Sequence, residues 1–338
     1  MNIKKQSLSD QLLISCLNTN YGIEVASLTF LALGADMNAS VYKAEGHNRI
    51  SYFVKVKRGC TDDISVMIAE LLHNAGIKQI ILPIKTTHGQ SSHRIENFTL
   101  IVYPFVKGQD GFNRSLTDNE WIKLGKTLRQ VHEIDVPLSI QNQIRKEIYS
   151  SNWREVVRTL YIHIEAGPIE NEIALKLVAF IKKNKRAIHR LVDRAEQLGQ
   201  ELKGQSCKFV LCHSDIHGGN VLIDENDSIF LVDWDDPIMA PKERDLMFIG
   251  GGVANVWNKE HEKKLFYKGY GITEVNLIAL AYYRHERIVE DIAVLGQELL
   301  VTMDGGDHRP EMYKQFVDMF EPNGVVDIAF KTDDELVK

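Results

Sequence analysis

Residues 209–235 constrain the fold of this chain more than any other stretch of its sequence. Two short apolar runs rich in β-formers, residues 209–212 and 229–232, each end at a polar cluster. The first cluster is His-Ser-Asp at 213–215, and the second is Asp-Trp-Asp at 233–235. Buried strands that end in this way deliver polar side chains to a cleft. The sequence therefore predicts a functional cleft where these two strands end.

The spacing within this stretch is typical of phosphoryl transfer. Asn220 follows Asp215 by five positions, and Asp233 follows Asp215 by 18. Transfer from ATP needs one carboxylate to hold the acceptor hydroxyl, and an amide and a second carboxylate to hold magnesium. We therefore expect Asp215 to be catalytic, and Asn220 and Asp233 to bind Mg²⁺. The alternative interpretation is an ordinary strand pair whose Asp and Asn residues form turns.

The pattern H-x-D-x-x-x-x-N, followed by a strand ending in Asp, resembles the catalytic and metal loops of the kinase-like fold. It is similar to the variant of aminoglycoside phosphotransferases and choline kinases, because Ser follows His213, D-W-D replaces D-F-G and no A-P-E follows. The resemblance implies an α+β, bilobal protein-kinase-like fold. In that fold a small N-terminal lobe carries an antiparallel sheet, and a larger C-terminal lobe is mainly helical.

Composition and length agree with a two-lobed protein of the cytoplasm. The 338 residues are 44% hydrophobic and 25% charged, as in soluble globular proteins. We expect an N-terminal lobe at residues 1–106, with a hinge at 102–106, and a C-terminal lobe at residues 107–338. No stretch has the length of a membrane span or the pattern of a signal peptide. The four cysteines have no metal-ligand spacing, so reduced thiols are expected.

Acidic residues concentrate around the predicted cleft. Residues 213–245 hold nine acidic and two basic residues, in a chain whose net charge is −6. An acidic centre repels nucleic acid and suits a metal ion and a cationic small molecule. We therefore expect a cationic small molecule as substrate and no nucleic-acid or membrane partner. The family resemblance implies that this substrate is a small cationic aminocyclitol, and no protein partner is expected.

A lysine in the N-terminal lobe is expected to meet the α- and β-phosphates of ATP. Lys55 lies in the alternating strand 52–57 and matches the family's lysine, while Lys57, of the same parity, is the competitor. Glu70 and Asp63 are both candidates to pair with Lys55, and a solvated Glu70 is an equal alternative.

Two further segments of this lobe are candidate nucleotide contacts. The turn at residues 34–38 lies where such lobes fold over phosphates, which makes Asp36 and Asn38 candidates, although a plain hairpin loop is the alternative. In kinase-like folds the hinge backbone binds adenine, and this assigns Val102, Tyr103 and Phe105.

The C-terminal lobe supplies supporting and acceptor-binding residues. His213 is interpreted as an organiser of the catalytic loop, and Asp245 as an anchor that accepts its backbone N–H bonds. Asp235 is assigned either to the metal site or to an acceptor amine, and His217 has no assignment.

An acidic stripe is predicted on a long helix, or a pair of helices, at residues 275–302. Its members are Glu286, Glu290 and Asp291. If the stripe faces the cleft, it binds cationic groups of the acceptor. If it faces solvent, Arg284 and Arg287 are its partners and it has no special role.

The residues themselves predict a Mg²⁺-dependent small-molecule phosphotransferase, and the family resemblance implies ATP-dependent phosphorylation of an aminocyclitol or aminoglycoside antibiotic, which confers resistance. Two alternatives remain open. One is a kinase for choline, homoserine or methylthioribose; choline would require an aromatic cage, for which Trp257, Tyr282 and Tyr283 are candidates. The other is a nucleotide-binding scaffold without turnover.

Overall fold

The computed structural model describes residues 8–31, 39–59, 64–166, 171–302 and 306–336. Its N-terminal part contains two helices and five strands: α1 (Asp10–Tyr21), β1 (Val25–Leu31), β2 (Ala39–Gly46), β3 (Ser51–Arg58), α2 (Ile64–Asn74), β4 (His93–Ile95) and β5 (Phe98–Pro104). The strands form one antiparallel sheet in the order β1-β2-β3-β5-β4.

Local sequence explains the ends of α1 and the position of β3. The Ser9 side chain accepts the Leu12 N–H at the start of α1, and Gly22 ends the helix with φ +64°, which glycine adopts without strain. The central strand β3 pairs with β2 and β5, which places Lys55 between Val41 and Ile101. Lys55 therefore lies in the middle of the sheet, where neighbouring strands restrict its position.

The C-terminal part is mainly helical. Its elements are β6 (Gly108–Asp110), α3 (Asp118–Glu133), α4 (Leu138–Gln141), β7 (Arg145–Lys146), α5 (Asn152–Ala166), α6 (Glu172–Lys183), α7 (Lys185–Lys203), β8 (Val210–Cys212), β9 (Val221–Asp224), β10 (Ile229–Leu231), β11 (Ile238–Ala240), α8 (Glu243–Leu246), α9 (Glu260–Tyr270), α10 (Leu277–Gln297), α11 (Arg309–Asp318) and α12 (Val325–Glu335). Two small sheets, in the orders β10-β9-β6 and β7-β11-β8, lie among the helices. We propose the lobe boundary at residue 106, because β6 directly after it pairs with β9.

Sequence patterns predict three helices of the C-terminal part, and the structure divides one of them. The T-x-x-E pattern from Thr117 to Glu120 predicts a capping box and a helix that ends at about Glu133, and α3 has both features. The long helix expected at residues 275–302 is α10, which begins at Leu277 and continues into a π-helical turn at Glu298–Thr302. Apolar periodicity predicts a helical stretch at residues 170–200, which Asn184 divides into α6 and α7.

Three short strands position the predicted cleft. The loop of residues 213–220 joins β8 to β9, and residues 233–235 directly follow β10. The Leu231 N–H donates to the Gln79 carbonyl at 2.9 Å, which ties β10 to the N-terminal part. The second polar cluster, which follows β10, therefore lies beside the N-terminal part.

The described cysteines, Cys16, Cys207 and Cys212, form no disulfide, and Cys60 lies outside the described residues. Among the described helices, none is both long and apolar enough to cross a membrane.

Candidate active site

Asp245 anchors the loop that carries Asp215. Its Oδ2 accepts the His213 N–H at 2.9 Å, and its Oδ1 accepts the Ser214 N–H at 2.7 Å. Ser214 has φ +74°, a conformation that costs a non-glycine residue free energy, so these two bonds stabilise a strained turn. Burial alone would raise the pKa of the Asp245 carboxyl. Hydrogen bonds from His132 and the loop outweigh burial and hold this pKa below its usual value.

His213 packs inside the loop. Its Nδ1 accepts the Asp215 N–H at 3.4 Å, so Nε2 carries the proton and donates to the Val232 carbonyl at 2.9 Å. The ring is buried, with its centre 4.5 Å from that of Trp234. His213 therefore connects the Asp215 loop to the end of β10.

Asp215 is surrounded by donors at its side chain and its backbone. Arg287 Nη1 donates to Oδ1 at 2.6 Å, and His217 Nε2 lies 3.3 Å from Oδ2. Burial would raise the pKa of Asp215, but the contacts with His217 and Arg287 lower it well below its usual range. The Asn220 side-chain amide donates to the Asp215 carbonyl at 2.8 Å, which leaves the amide oxygen of Asn220 available to a cation.

Lys55 joins the N-terminal sheet to the second polar cluster. Its Nζ lies 2.8 Å from Asp233 Oδ1 and 2.7 Å from Asp235 Oδ2. Lys57, the competitor, also reaches Asp235 Oδ2, at 3.0 Å. Burial would lower the pKa of Lys55, but the two carboxylates raise it above its usual value. Asp235 is thus placed with the lysines, which favours its assignment to the metal side of the site over contact with an acceptor amine.

The expected pair of Glu70 and Lys55 is not formed, although the structure describes both residues. Glu70 Oε1 instead accepts a hydrogen bond from Ser91 at 3.0 Å and lies 3.4 Å from Lys85 Nζ. The reason is that α2 places Glu70 beside residues 85–91, while Lys55 pairs with the carboxylates of Asp233 and Asp235. The alternative partner Asp63 lies outside the described residues, as do Asp36 and Asn38.

The hinge backbone is partly engaged. The Val102 carbonyl accepts the Ile84 N–H at 2.7 Å, and the Phe105 N–H donates to the Ser51 carbonyl at 3.2 Å. Tyr103 lies opposite Phe53 in the sheet. The Val106 N–H donates no hydrogen bond within the described residues.

The three carboxylates of the acidic stripe on α10 have different surroundings. They do not face open solvent together, and they do not face the cleft together. Glu286 is buried and forms an ion pair with the buried Arg154, and its burial raises its pKa to about 7. Asp291 accepts the Arg287 Nε–H at 3.2 Å. Glu290 is half-buried and has no hydrogen bond or ion pair within the part of the chain that the structure describes.

Three of the residues in and around this site gave no usable signal in the sequence. Arg287 appeared only as a solvent-side partner of the stripe, His217 had no assignment, and Arg154 was not singled out. Arg284, the other expected partner of the stripe, is buried and donates to the Ile249 carbonyl and the Thr332 hydroxyl.

The chain is similar to proteins of known structure. A family model described as phosphotransferase enzyme family matches residues 29–263. The crystal structure of spectinomycin phosphotransferase APH(9)-Ia in complex with ADP and spectinomycin is 50% identical, with a TM-score of 0.92, over 97% of this chain and 99% of that chain. Its AMP-bound complex is 48% identical, with a TM-score of 0.88, over 96% and 99% of the two chains.

A more distant structure shares the fold alone. An aminoglycoside phosphotransferase from Alicyclobacillus acidocaldarius is 14% identical, with a TM-score of 0.66, over 99% of this chain and 98% of that chain. No curated protein gives a significant sequence match. The fold expected from the catalytic motif, an antiparallel N-terminal sheet followed by a mainly helical lobe, is thereby confirmed. The family model spans well over half of the chain, and the chain is 50% identical to a spectinomycin phosphotransferase over 97% of its length. The chain therefore belongs to the phosphotransferase enzyme family.

Proposed function

We propose that this protein transfers the γ-phosphoryl group of ATP to a hydroxyl of spectinomycin, at carbon 9, and so confers resistance to that antibiotic. The observation that carries the proposal is the likeness to spectinomycin phosphotransferase bound to ADP and spectinomycin. The contacts of Asp215, Asn220, Asp233 and Lys55 support it, because they bring a carboxylate, an amide, a second carboxylate and a lysine to one cleft.

Asp215 is proposed to receive the acceptor hydroxyl. The carboxylate stays ionised because Arg287 and His217 lower its pKa, and its side chain is 41% exposed, so an entering hydroxyl can reach it. In a loose transition state for phosphoryl transfer, positioning contributes more than early proton removal. Asp215 therefore orients the hydroxyl by accepting its hydrogen bond and takes the proton late.

Asn220 and Asp233 are proposed to hold magnesium. Mg²⁺ prefers hard oxygen ligands, and these residues offer an amide oxygen and a carboxylate that is 48% exposed. When bound there, the ion would offset the charge of the nucleotide phosphates. Lys55 offsets the same charge from the other side, and Asp235 keeps Lys55 and Lys57 on that side of the cleft.

The nucleotide is proposed to lie between β3 and the hinge. Lys55 would contact the phosphates, and the backbone of residues 102–106 would contact adenine. Within this segment we assign the donor role to Val106, because its N–H has no partner among the described residues whereas that of Phe105 is engaged.

Glu290 is proposed as the principal carboxylate for a cationic group of the acceptor. The other two members of the stripe form direct ion pairs with arginines, whereas within the described segments Glu290 interacts with Arg244 and Arg287 only at longer range, where its charge contributes to raising their pKa values. A carboxylate without a direct ion pair gains more from an entering ammonium group than one that already has one.

A choline kinase is less consistent with the described residues. The three aromatic candidates for a cage are buried: Trp257 packs edge-on against Trp121, and Tyr282 packs against Tyr283. An aromatic cage must present its ring faces to the ligand, which these side chains do not.

A panel of acceptors tests the proposal. The purified protein is incubated with labelled ATP, Mg²⁺ and one acceptor at a time: spectinomycin, kanamycin, choline, homoserine or methylthioribose. We expect phosphate transfer to spectinomycin with the highest kcat/KM of the panel. Preferred transfer to a metabolite would replace the proposed substrate, and no transfer to any acceptor, with ATP bound, would support a scaffold without turnover.

A further inference from the structure

His217 and Arg287 contact opposite oxygens of the Asp215 carboxylate. Arg287 Nη1 donates to Oδ1 at 2.6 Å, and His217 Nε2 lies 3.3 Å from Oδ2. We propose that these two residues are positioning residues, which together fix the plane of the Asp215 carboxylate for the acceptor hydroxyl. The proposal rests on the proposed function of Asp215.

The His217 ring is held in one orientation. Its Nδ1 accepts the Gly219 N–H at 3.0 Å, so Nε2 carries the proton and donates toward Asp215. The ring stacks on Phe112 with centres 5.1 Å apart and planes 20° apart. Gly219 lies close beside the ring, since a Cβ added there would be only 2.9 Å from His217 Cε1. The ring therefore has little room to move on that side.

The Arg287 guanidinium is held by a second carboxylate. Its Nε donates to Asp291 Oδ1 at 3.2 Å, while Nη1 donates to Asp215. The group lies over the Phe248 ring, 5.8 Å from the ring centre, and its side chain is 18% exposed. A planar guanidinium holds two carboxylates through separate N–H groups of fixed geometry, whereas a lysine contacts them through one rotatable ammonium group.

The hydrogen-bond acceptor sites that remain free on the Asp215 carboxylate therefore have fixed directions. Each carboxylate oxygen accepts about two hydrogen bonds. One site on Oδ1 is taken by Arg287 and one on Oδ2 by His217, so the sites left for a hydroxyl have defined directions. Because a misplacement of about 1 Å costs on the order of a hundredfold in rate, a carboxylate free to rotate would be a poorer partner for the hydroxyl.

Four variants test the role of each contact. Arg287→Lys keeps the charge and Arg287→Gln removes it, while His217→Phe keeps the stacking on Phe112 and His217→Gln keeps a side-chain N–H. We expect kcat with spectinomycin to fall about tenfold to a hundredfold in Arg287→Gln and His217→Phe, with KM for both substrates little changed. Arg287→Lys and His217→Gln should recover part of the loss, and Arg158→Gln, which removes an exposed arginine of α5, should change neither constant.

The same changes in an Asp215→Ala background separate positioning from a general structural effect. If His217 and Arg287 act through Asp215, they should not lower the residual kcat further. An equal fold loss in both backgrounds would overturn the proposal, because the residues would then act independently of Asp215. A rise in the KM for spectinomycin with kcat unchanged would also overturn it, since Arg287 or His217 would then bind the acceptor directly.

A crystal structure of Arg287→Gln gives a readout that needs no acceptor. We expect the Asp215 carboxylate to rotate or to occupy two rotamers, and an unchanged carboxylate would contradict the proposal. If spectinomycin is not phosphorylated at all, the proposed function fails, while this structure still decides whether Arg287 orients Asp215.

Discussion

Individual residues in this site form ion pairs with more than one partner. Lys55 contacts both Asp233 and Asp235, so the carboxylate assigned to magnesium is also the partner of the lysine assigned to the phosphates. On the proposed assignments, an entering nucleotide and its metal would exchange this set of ion pairs for another. Such an exchange lowers the cost of opening the site, because a buried charge without a partner is expensive.

Asp233→Asn is expected to weaken magnesium dependence more than Asn220→Ala does. A carboxylate supplies charge to a hard cation, whereas an amide supplies only a dipole. Activity is measured against Mg²⁺ concentration at saturating ATP, with Asp236→Asn as a control from the same cluster, since its side chain is 71% exposed. Equal shifts in the half-saturating Mg²⁺ concentration for the two site variants would mean that the ligand roles are wrong.

Glu290→Gln is expected to raise the KM for spectinomycin about tenfold or more, with the KM for ATP little changed, because a charge-assisted hydrogen bond is worth roughly 1.5–3 kcal/mol. Glu286→Gln and Asp291→Asn should raise it less, since these carboxylates already pair with Arg154 and Arg287. Glu311→Gln, an exposed change on α11, serves as the control. If Glu290→Gln leaves the acceptor KM as it was, the cation-binding residues lie elsewhere in the cleft.

At the scale of elements, residues of three helices support the loop of residues 213–220 from behind. Asp245 of α8 accepts its backbone N–H groups, and His132 near the end of α3 contacts the same carboxylate at 3.0 Å and Tyr270 of α9 at 2.8 Å. The loop therefore depends on a buried polar network and not on strand pairing alone. Such a network stabilises one arrangement only while every member is satisfied.

Asp245→Asn is expected to lower the free energy of unfolding by about 2–3 kcal/mol near neutral pH, because it leaves buried donors without a charged acceptor. The folded-state pKa of Asp245 is lowered, so its contribution is complete above the unfolded pKa of about 3.9 and is lost as pH falls through the folded value. Urea unfolding of the unmodified protein and of Asp245→Asn is measured from neutral pH into acid. The difference between their free energies of unfolding should become smaller as the pH falls. A difference that does not depend on pH would contradict the assignment, and Asp236→Asn again provides the exposed control.

The elements that the sequence predicted well are those whose signals are local. The start of α3 follows from a capping box within four residues, and the strands before the two polar clusters follow from their apolar runs. The contacts that complete the site join distant positions. Arg287 and Asp215 are 72 positions apart, His132 and Asp245 are 113 apart, and Arg154 and Glu286 are 132 apart. Spacing and periodicity carry no information about such pairs, because tertiary packing decides which helix faces meet.

The partner of Lys55 shows the same limit. Glu70 of α2 lies 15 positions after Lys55 in the sequence. The carboxylates that contact Lys55, those of Asp233 and Asp235, lie 178 and 180 positions away. The break at Asn184 was missed for a related reason, since the apolar periodicity continues from α6 into α7.

At the scale of the molecule, the cleft is closed by contacts between the N-terminal sheet and the strand ends of the C-terminal part. Lys55 and Lys57 of β3 reach Asp233 and Asp235, and the Leu231 N–H donates to the Gln79 carbonyl. The nucleotide-side lysines and the carboxylates proposed for the metal side therefore meet only when the two parts come together.

Turnover of Asp215→Asn with spectinomycin and ATP decides whether Asp215 receives the acceptor hydroxyl. We expect kcat to fall by about 10²-fold to 10⁴-fold, the usual contribution of a positioned acid–base group, while the affinity for ATP stays near that of the unmodified protein. Asp236→Asn, measured in parallel, should keep its turnover. If Asp215→Asn retains more than about a tenth of kcat, the carboxylate does not receive the acceptor hydroxyl.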